Sequence, residues 1–148
     1  MIWTPRVTVA AVVRQNDQYL LVEEHASGQT VLNQPAGHLE DGESLVEAVK
    51  REVLEETARH FEPSGLIAIY RYPLPEKNRT YLRFCFAGSV GEPVPGLALD
   101  PDITDTHWIG LAQIKNRQDQ LRSPMVIQCI EDFLCKPLLP LDTLHDVL

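Results

Sequence analysis

One stretch constrains this chain more than any other: Gly37 to Arg59, GHLEDGESLVEAVKREVLEETAR. A turn signal at Asp41-Gly42 leads to Ser44, and Glu47 three residues later completes a capping-box pattern, so a helix starts here. Leu45, Val46, Val49 and Val53 recur at helical spacing and predict one buried side. At about 100° per residue those four side chains occupy a sector about 100° wide. Glu52 and Glu56 project into or just beside that sector, and Glu55 lies about 80° beyond its edge. Two carboxylates therefore stand where water is scarce.

That placement is unfavourable without a partner. Glu52 and Glu56 are a like-charge i,i+4 pair, which weakens even an exposed helix by about 0.2–0.5 kcal/mol. Next to an apolar face the cost rises, because the carboxylates are partly desolvated. A divalent cation removes both problems. Mg²⁺ takes carboxylate oxygens, keeps several waters and bridges to substrate phosphates. Spacings of i, i+3 and i+4 put Glu52, Glu55 and Glu56 within reach of one metal cluster. The competing reading of three glutamates alone is a solvated acidic surface with Arg51 as ion-pair partner.

The spacing of the whole stretch decides between them. Gly37, five residues, Glu43, seven residues, Arg51-Glu52, the aliphatic Val53, one residue, then Glu55-Glu56: this resembles the Nudix box. Asn33-Gln34-Pro35-Ala36-Gly37 is similar to the family's loop entering the box. Where the family pattern ends in glycine and an aliphatic residue, this chain has Ala58 and Arg59, which bears on the helix C-cap and not on the metal ligands. VTVAAVV, LNQPAGHLEDGE, RTYLRFCFA and LRSPMV extend the resemblance toward the NudJ-type bacterial phosphatases of that family, with Leu32 in place of an expected tryptophan.

The resemblance implies an α/β fold, an α/β/α sandwich with a mixed β-sheet and a strand-loop-helix carrying the box. It implies Mg²⁺-dependent hydrolysis of a phosphoanhydride in a nucleoside or thiamine-precursor phosphate, with Mn²⁺ able to substitute. Glu52 and Glu56 are then metal ligands, Glu55 a ligand directly or through water, and the Gly37 carbonyl a further donor. Arg51 orients Glu43 and the glutamate cluster, and Glu52 is the general base. An acid from the loop holding Asp100, Asp102 and Asp105 completes such sites, and Asp105 joins Arg83 and Arg71 as the substrate-binding set. Two alternatives remain: a pyrophosphohydrolase of the MutT type, and a ligand sensor or cation-stabilised domain without turnover.

Composition limits the partners. The formal charge of −8 does not steer the chain to nucleic acid polymers or anionic membranes. It would also repel a polyphosphate unless cations intervene. The expected partner is a small phosphate or pyrophosphate compound, with monomer and homodimer both open. Cys85, Cys129 and Cys135 lack metal-site spacing and read as reduced thiols of a cytoplasmic protein. No segment reads as a signal peptide or membrane span. Residues 1–148 read as one domain, with 135–148 an apolar tail that wraps the domain or meets another subunit.

Along the chain, Val7 to Val13 reads as a strand buried on both faces, and Asn16-Asp17 as the turn into a second strand, Tyr19 to Glu24. Ala26 to Thr30 reads as a loop and Val31 to Gln34 as a short strand. Phe61 to Gly65 is expected to be a loop around Pro63, Leu66 to Tyr72 a strand, and Thr80 to Val90 another. Arg83 lies mid-strand on the side carrying Tyr81 and could clamp a phosphate, with Arg71 and Arg79 also facing the cleft. Gly91 to Pro101 reads as a loop able to act as a lid, and Thr106 to Ile109 as a short strand. Ser123-Pro124 starts a second buried helix. With no pair of aromatics interleaved in a loop, broad tolerance for the substrate's ring is expected.

Overall fold

A strand that is apolar on both faces needs cover on both sides, and β1 (Arg6–Gln15) receives it. The computed structural model describes residues 1–26 and 28–147. After β1 come β2 (Gln18–Ala26), β3 (Gln29–Asn33), β4 (Ala36–His38), α1 (Leu45–Thr57), β5 (Phe61–Leu74), β6 (Arg79–Val90), β7 (Ile103–Gly110), α2 (Leu111–Lys115) and α3 (Met125–Cys135). The strand order is β3-β2-β1-β6-β5, with β4 added to β1 and β7 to β2. β1 runs parallel to β6, and the other pairings are antiparallel, so the sheet is mixed.

Alternation in β1 sorts the core into two layers. Val9, Ala11 and Val13 join Leu20 and Phe86 beneath Ala48, Val49 and Val53 of α1. Ala10 and Val12 join Leu21, Cys85 and Ala87 beneath Ile114 of α2 and Met125, Val126, Cys129 and Ile130 of α3. This is the α/β/α sandwich expected. β1 and β2 pair only at the hairpin tip, Arg14 with Tyr19 and Gln15 with Gln18, where Asn16 and Asp17 both have positive φ. Below the tip the two strands diverge, and β4 takes the place beside β1 at Thr8 to Ala10.

Several boundaries differ from the sequence expectation. β5 begins at Phe61, so the segment around Pro63 is strand and not loop. Bulges between Pro63 and Gly65 and between Leu66 and Ala68 absorb the proline on this outer strand. β7 starts at Ile103, three residues earlier than expected, because Ile103 pairs with Glu24 across a further bulge. β2 and β3 pair as far as Ala26 and Gln29, so the expected Ala26–Thr30 loop is shorter, and its residue 27 lies outside the described residues. The helix bounds of α3 start at Met125, while Ser123 Oγ accepts the Met125 N–H at 3.2 Å in the manner of a cap.

The apolar tail wraps the domain. Leu139 exchanges two backbone hydrogen bonds with Leu66, at 2.8 and 2.9 Å, and so closes part of the β5 edge. Leu141 and Leu144 pack on the α1-side core. A β-carbon on Gly65 would meet Leu138 at 2.9 Å, so glycine is what lets the tail cross the strand here.

Candidate active site

The capping box forms as read, with Glu47 N–H donating to Ser44 Oγ at 3.0 Å and Ser44 N–H to Glu47 Oε1 at 3.1 Å. α1 therefore has a fixed start, and its glutamates have fixed directions. Glu56 is 7% exposed, Glu52 has a side chain 12% exposed, and the Glu55 side chain is 44% exposed. This is the graded border placement that helical periodicity implied.

Arg51 is the hub of the surrounding charges. It forks onto Glu43 through Nε and Nη2 at 3.0 and 2.7 Å. Its Nη1 donates to Glu52 at 2.8 Å and to Glu55 at 3.3 Å, and Nη2 also reaches the His38 carbonyl at 3.0 Å. The fork holds the Glu43 carboxyl below its ordinary range. Glu52 and Glu56 move the other way. Burial raises Glu52 despite Arg51, and burial pushes Glu56 up to about 9, with Glu52, Glu24 and Asp100 adding repulsion and the Ala36 N–H opposing at 2.9 Å.

Such a carboxyl holds a proton at neutral pH unless a cation replaces it. The donor set suits a hard divalent ion: the Glu52 and Glu56 carboxylates and the backbone at Gly37. Gly37 has a steric reason to be glycine, because a β-carbon there would overlap the Glu52 carboxylate. Among the described residues no three acidic, histidine or cysteine side chains are already gathered as a cage. Glu52 is instead turned to Arg51, and Glu56 to Ala36.

Beside this cluster lies a cavity of about 610 Å³ between the sheet and the segment leading into α3. Ala36, Gly37 and His38 of β4 rim it, so one short strand faces both cavity and glutamates. Lys77, Arg79, Arg83 and Arg122 line it, and these cations set its charge apart from the acidic whole. Arg83 is 7% exposed and donates to Gln34 Oε1 at 3.0 Å. It sits on the central strand β6 and not on an exposed edge. Gln34 is fixed in turn by the Ala11 carbonyl and Cys85. Arg122 pairs with buried Glu24 at 2.6 Å, and Glu24 accepts from Asn33 Nδ2 at 3.3 Å.

Two residues of the expected substrate set are elsewhere. Arg71 is exposed and shares its register with Leu82, so it points to the α1 side while Tyr72 enters the cavity. Asp105 is on β7 opposite Glu23, where its carboxylate accepts its own neighbour's N–H. The early start of β7 carries it away. Asp100 is the loop acid nearest the glutamates in effect. Its N–H donates to the Glu55 carbonyl at 2.8 Å, and Val94 N–H donates to the Ala58 carbonyl at 2.7 Å. These bonds fasten the expected lid loop to the end of α1.

The sequence reading also missed residues that line the cavity. Tyr72 and Tyr81 are cross-strand partners and both contribute, with the His38 ring 6.4 Å from that of Tyr81. They are paired across two strands and not within one loop. Burial and the nearby Arg6, Arg122 and Arg79 lower the His38 pKa. Thr8 was visible as the one polar residue inside an apolar strand.

Known proteins share this sequence pattern and this fold. The NUDIX domain model matches residues 4–128. The phosphatase NudJ of Escherichia coli K12 is 38% identical over 96% of this chain and 92% of its own. A NUDIX hydrolase structure from Nitrosomonas europaea superposes with a TM-score of 0.94 at 47% identity, covering 97% of this chain and 98% of that one. A bifunctional NMN adenylyltransferase/ADP ribose pyrophosphatase from Francisella tularensis, complexed with AMP and a manganese ion, shares the fold. Its TM-score is 0.66 at 24% identity over 88% of this chain and 41% of that one.

Proposed function

The chain belongs to the Nudix family and is a hydrolase of phosphorus-containing anhydrides, and from that premise we propose that it is a Mg²⁺-dependent phosphatase. It removes orthophosphate, one unit at a time, from nucleoside tri- and diphosphates and from hydroxymethylpyrimidine pyrophosphate. Nudix hydrolases generally use divalent metals, and here Glu52, Glu56 and the Gly37 carbonyl would hold the ion, with Glu55 directly or through water; Mn²⁺ would substitute. When bound, the ion neutralises phosphate charge and lowers the pKa of water.

The residues of the chain supply the rest. Arg51 fixes the Glu52 carboxylate through Oε1, and Glu52 would accept the proton of the attacking water. Water oxygen bonds to the terminal phosphorus as the bridging P–O bond breaks, and the shortened phosphate leaves with the electron pair. Glu43 keeps Arg51 in place. Arg83, with Arg79 at the cavity wall, counters the charge that the acidic protein presents to the substrate. The observation that carries this reading is the junction at β4, where the desolvated glutamates and the cationic cavity meet. The free thiols Cys85, Cys129 and Cys135 suit a cytoplasmic location.

The test separates two outcomes. GTP and GDP are incubated with Mg²⁺ and released phosphate is assayed with and without inorganic pyrophosphatase. The proposal expects phosphate from both nucleotides without the helper enzyme. Signal from GTP only with it, and none from GDP, would make the protein a pyrophosphohydrolase of the MutT type.

A further inference from the structure

The segment between β6 and β7 is not held by burial. From Gly91 to Asp102 no residue is buried, and none lies in a helix or strand. Hydrogen bonds to the exit of α1 hold it instead. Gly91 is gripped twice, its N–H donating to the His60 carbonyl at 3.2 Å and its carbonyl accepting from Arg59 Nη1 at 2.8 Å. Val94 N–H donates to the Ala58 carbonyl at 2.7 Å, and Asp100 N–H to the Glu55 carbonyl at 2.8 Å. Carbonyls at a helix end lack partners within the helix, so α1 offers acceptors here.

Among the described residues Arg59 supplies the one side-chain hydrogen bond between the exit of α1 and this loop. Its own place is fixed. Its N–H donates to Thr57 Oγ1 at 3.3 Å, and its guanidinium lies 5.5 Å from the centroid of the Trp108 ring on β7. The last turn of α1 holds no basic residue, so Arg59, just past the cap, also brings a cation to the negative end of the helix. An aliphatic side chain at this position would have no donor for Gly91.

The loop carries Asp100. Its Oδ1 accepts the Asp102 N–H at 3.1 Å, and its carbonyl accepts the Ile103 N–H at 2.9 Å, which fixes the residue at the entry to β7. Burial raises the Glu52 and Glu56 carboxyls, and the Asp100 charge adds to both. Without a cation these carboxylates repel one another. A loop with no buried residue needs a fastening against that force.

We propose that Arg59 is a positioning residue for the metal site: by gripping Gly91 beside Trp108 it keeps the loop docked on α1 and holds Asp100 toward Glu52 and Glu56. This rests on the proposed function in taking Glu52 and Glu56 as ligands of a divalent cation. It gives a task to a residue that stands where the family pattern has an aliphatic one. Gly91 to Pro101 then acts as a fixed strut and not as a lid.

Two readouts without turnover test it. The first is amide hydrogen exchange of the metal-free protein. In Arg59→Leu the Val94 and Asp100 amides should exchange about tenfold faster or more, with amides inside α1 and β6 unchanged. The second is calorimetric titration with Mn²⁺. Arg59→Leu should weaken binding about tenfold, as loss of a group that orients a ligand does. Arg59→Lys, which keeps a cation and a donor, should recover most of that loss. Asp100→Asn should weaken binding by itself, and adding Arg59→Leu to it should cost little more, because the two residues act as one unit. Where Arg59→Leu does not fold, Arg59→Gln carries the same comparison. Unchanged exchange at Val94 and Asp100, or losses of Mn²⁺ affinity that simply add in the double variant, overturn the proposal. Either result with Mn²⁺ binding and phosphate release intact in the wild type sinks this inference alone. A wild type that binds no Mn²⁺ sinks the metal site of the proposed function and this inference with it.

Discussion

Glu43, Arg51, Glu52, Glu55 and Glu56 come from one helix and the loop before it. Thr8, Asn33, Tyr72, Tyr81, Arg83 and Arg122 come from four strands and the segment entering α3. Both groups edge the same short strand, β4. The first concentrates negative charge where burial opposes it, and Glu56 is the extreme case. The second concentrates positive charge in a protein of net charge −8. On the proposed function the contrast divides the labour: the helix would carry groups for the reacting bond, and the sheet groups that meet the rest of the substrate. Chemistry written into consecutive residues is fixed by helical geometry alone. Chemistry assembled from separate strands depends on register and on how β1 and β2 diverge.

If that division holds, damage to the two regions has different signatures. Glu56→Gln should cost the most, a loss of turnover of about a hundredfold or more, read as kcat at saturating Mg²⁺. The same variant tests desolvation without metal. The folded-state pKa of Glu56 is raised above its ordinary value, so the folded protein holds a proton that the unfolded chain has already lost. Stability of the metal-free wild type should therefore fall as pH rises from about 4.5 toward about 9, and the variant should lack that slope. Parallel melting curves across this range would show that Glu56 is not strained by burial.

The cavity should answer through affinity. Arg83→Lys keeps the charge but loses the planar fork and Nε, so KM should rise roughly tenfold with kcat little changed. A fall in kcat with KM unaltered would place Arg83 with the helix groups and break the division. The smallest effect concerns the scaffold. Ala58 caps α1 in the left-handed conformation, with φ 58° and ψ 25°, a cost of about 1 kcal/mol for a residue with a β-carbon. Its methyl is also buried, which contributes about 0.8 kcal/mol. The two nearly cancel. Ala58→Gly should thus move Tm by no more than about 3 °C, and not the several degrees that strain alone would suggest.

The legibility of the sequence follows the same line. The buried side of α1, its capping box and the rank of its three glutamates could be read because a 3.6-residue period fixes direction. The double-faced burial of β1 could be read from VTVAAVV. The course of β5 through Pro63 could not, since bulges on an outer strand tolerate a proline that would end a central one. Asp105 was misplaced because β7 starts across a bulge from Glu24, which no local signal announces. Arg71 and Tyr72 are neighbours in the chain, and strand alternation sends only one of them to the cavity. Asn33 and Arg83 are joined only through topology, by way of Gln34.

The central claim is that a divalent cation takes the place of a proton at Glu56, between α1 and Gly37. Calorimetric titration of the metal-free protein with Mn²⁺ at pH 7.5, in buffers of different ionisation enthalpy, measures this directly. The account predicts binding that releases close to one proton per ion in the wild type, with affinity and proton release both reduced in Glu56→Gln. Binding of equal strength in the two proteins, or wild-type binding with no proton released, would contradict it.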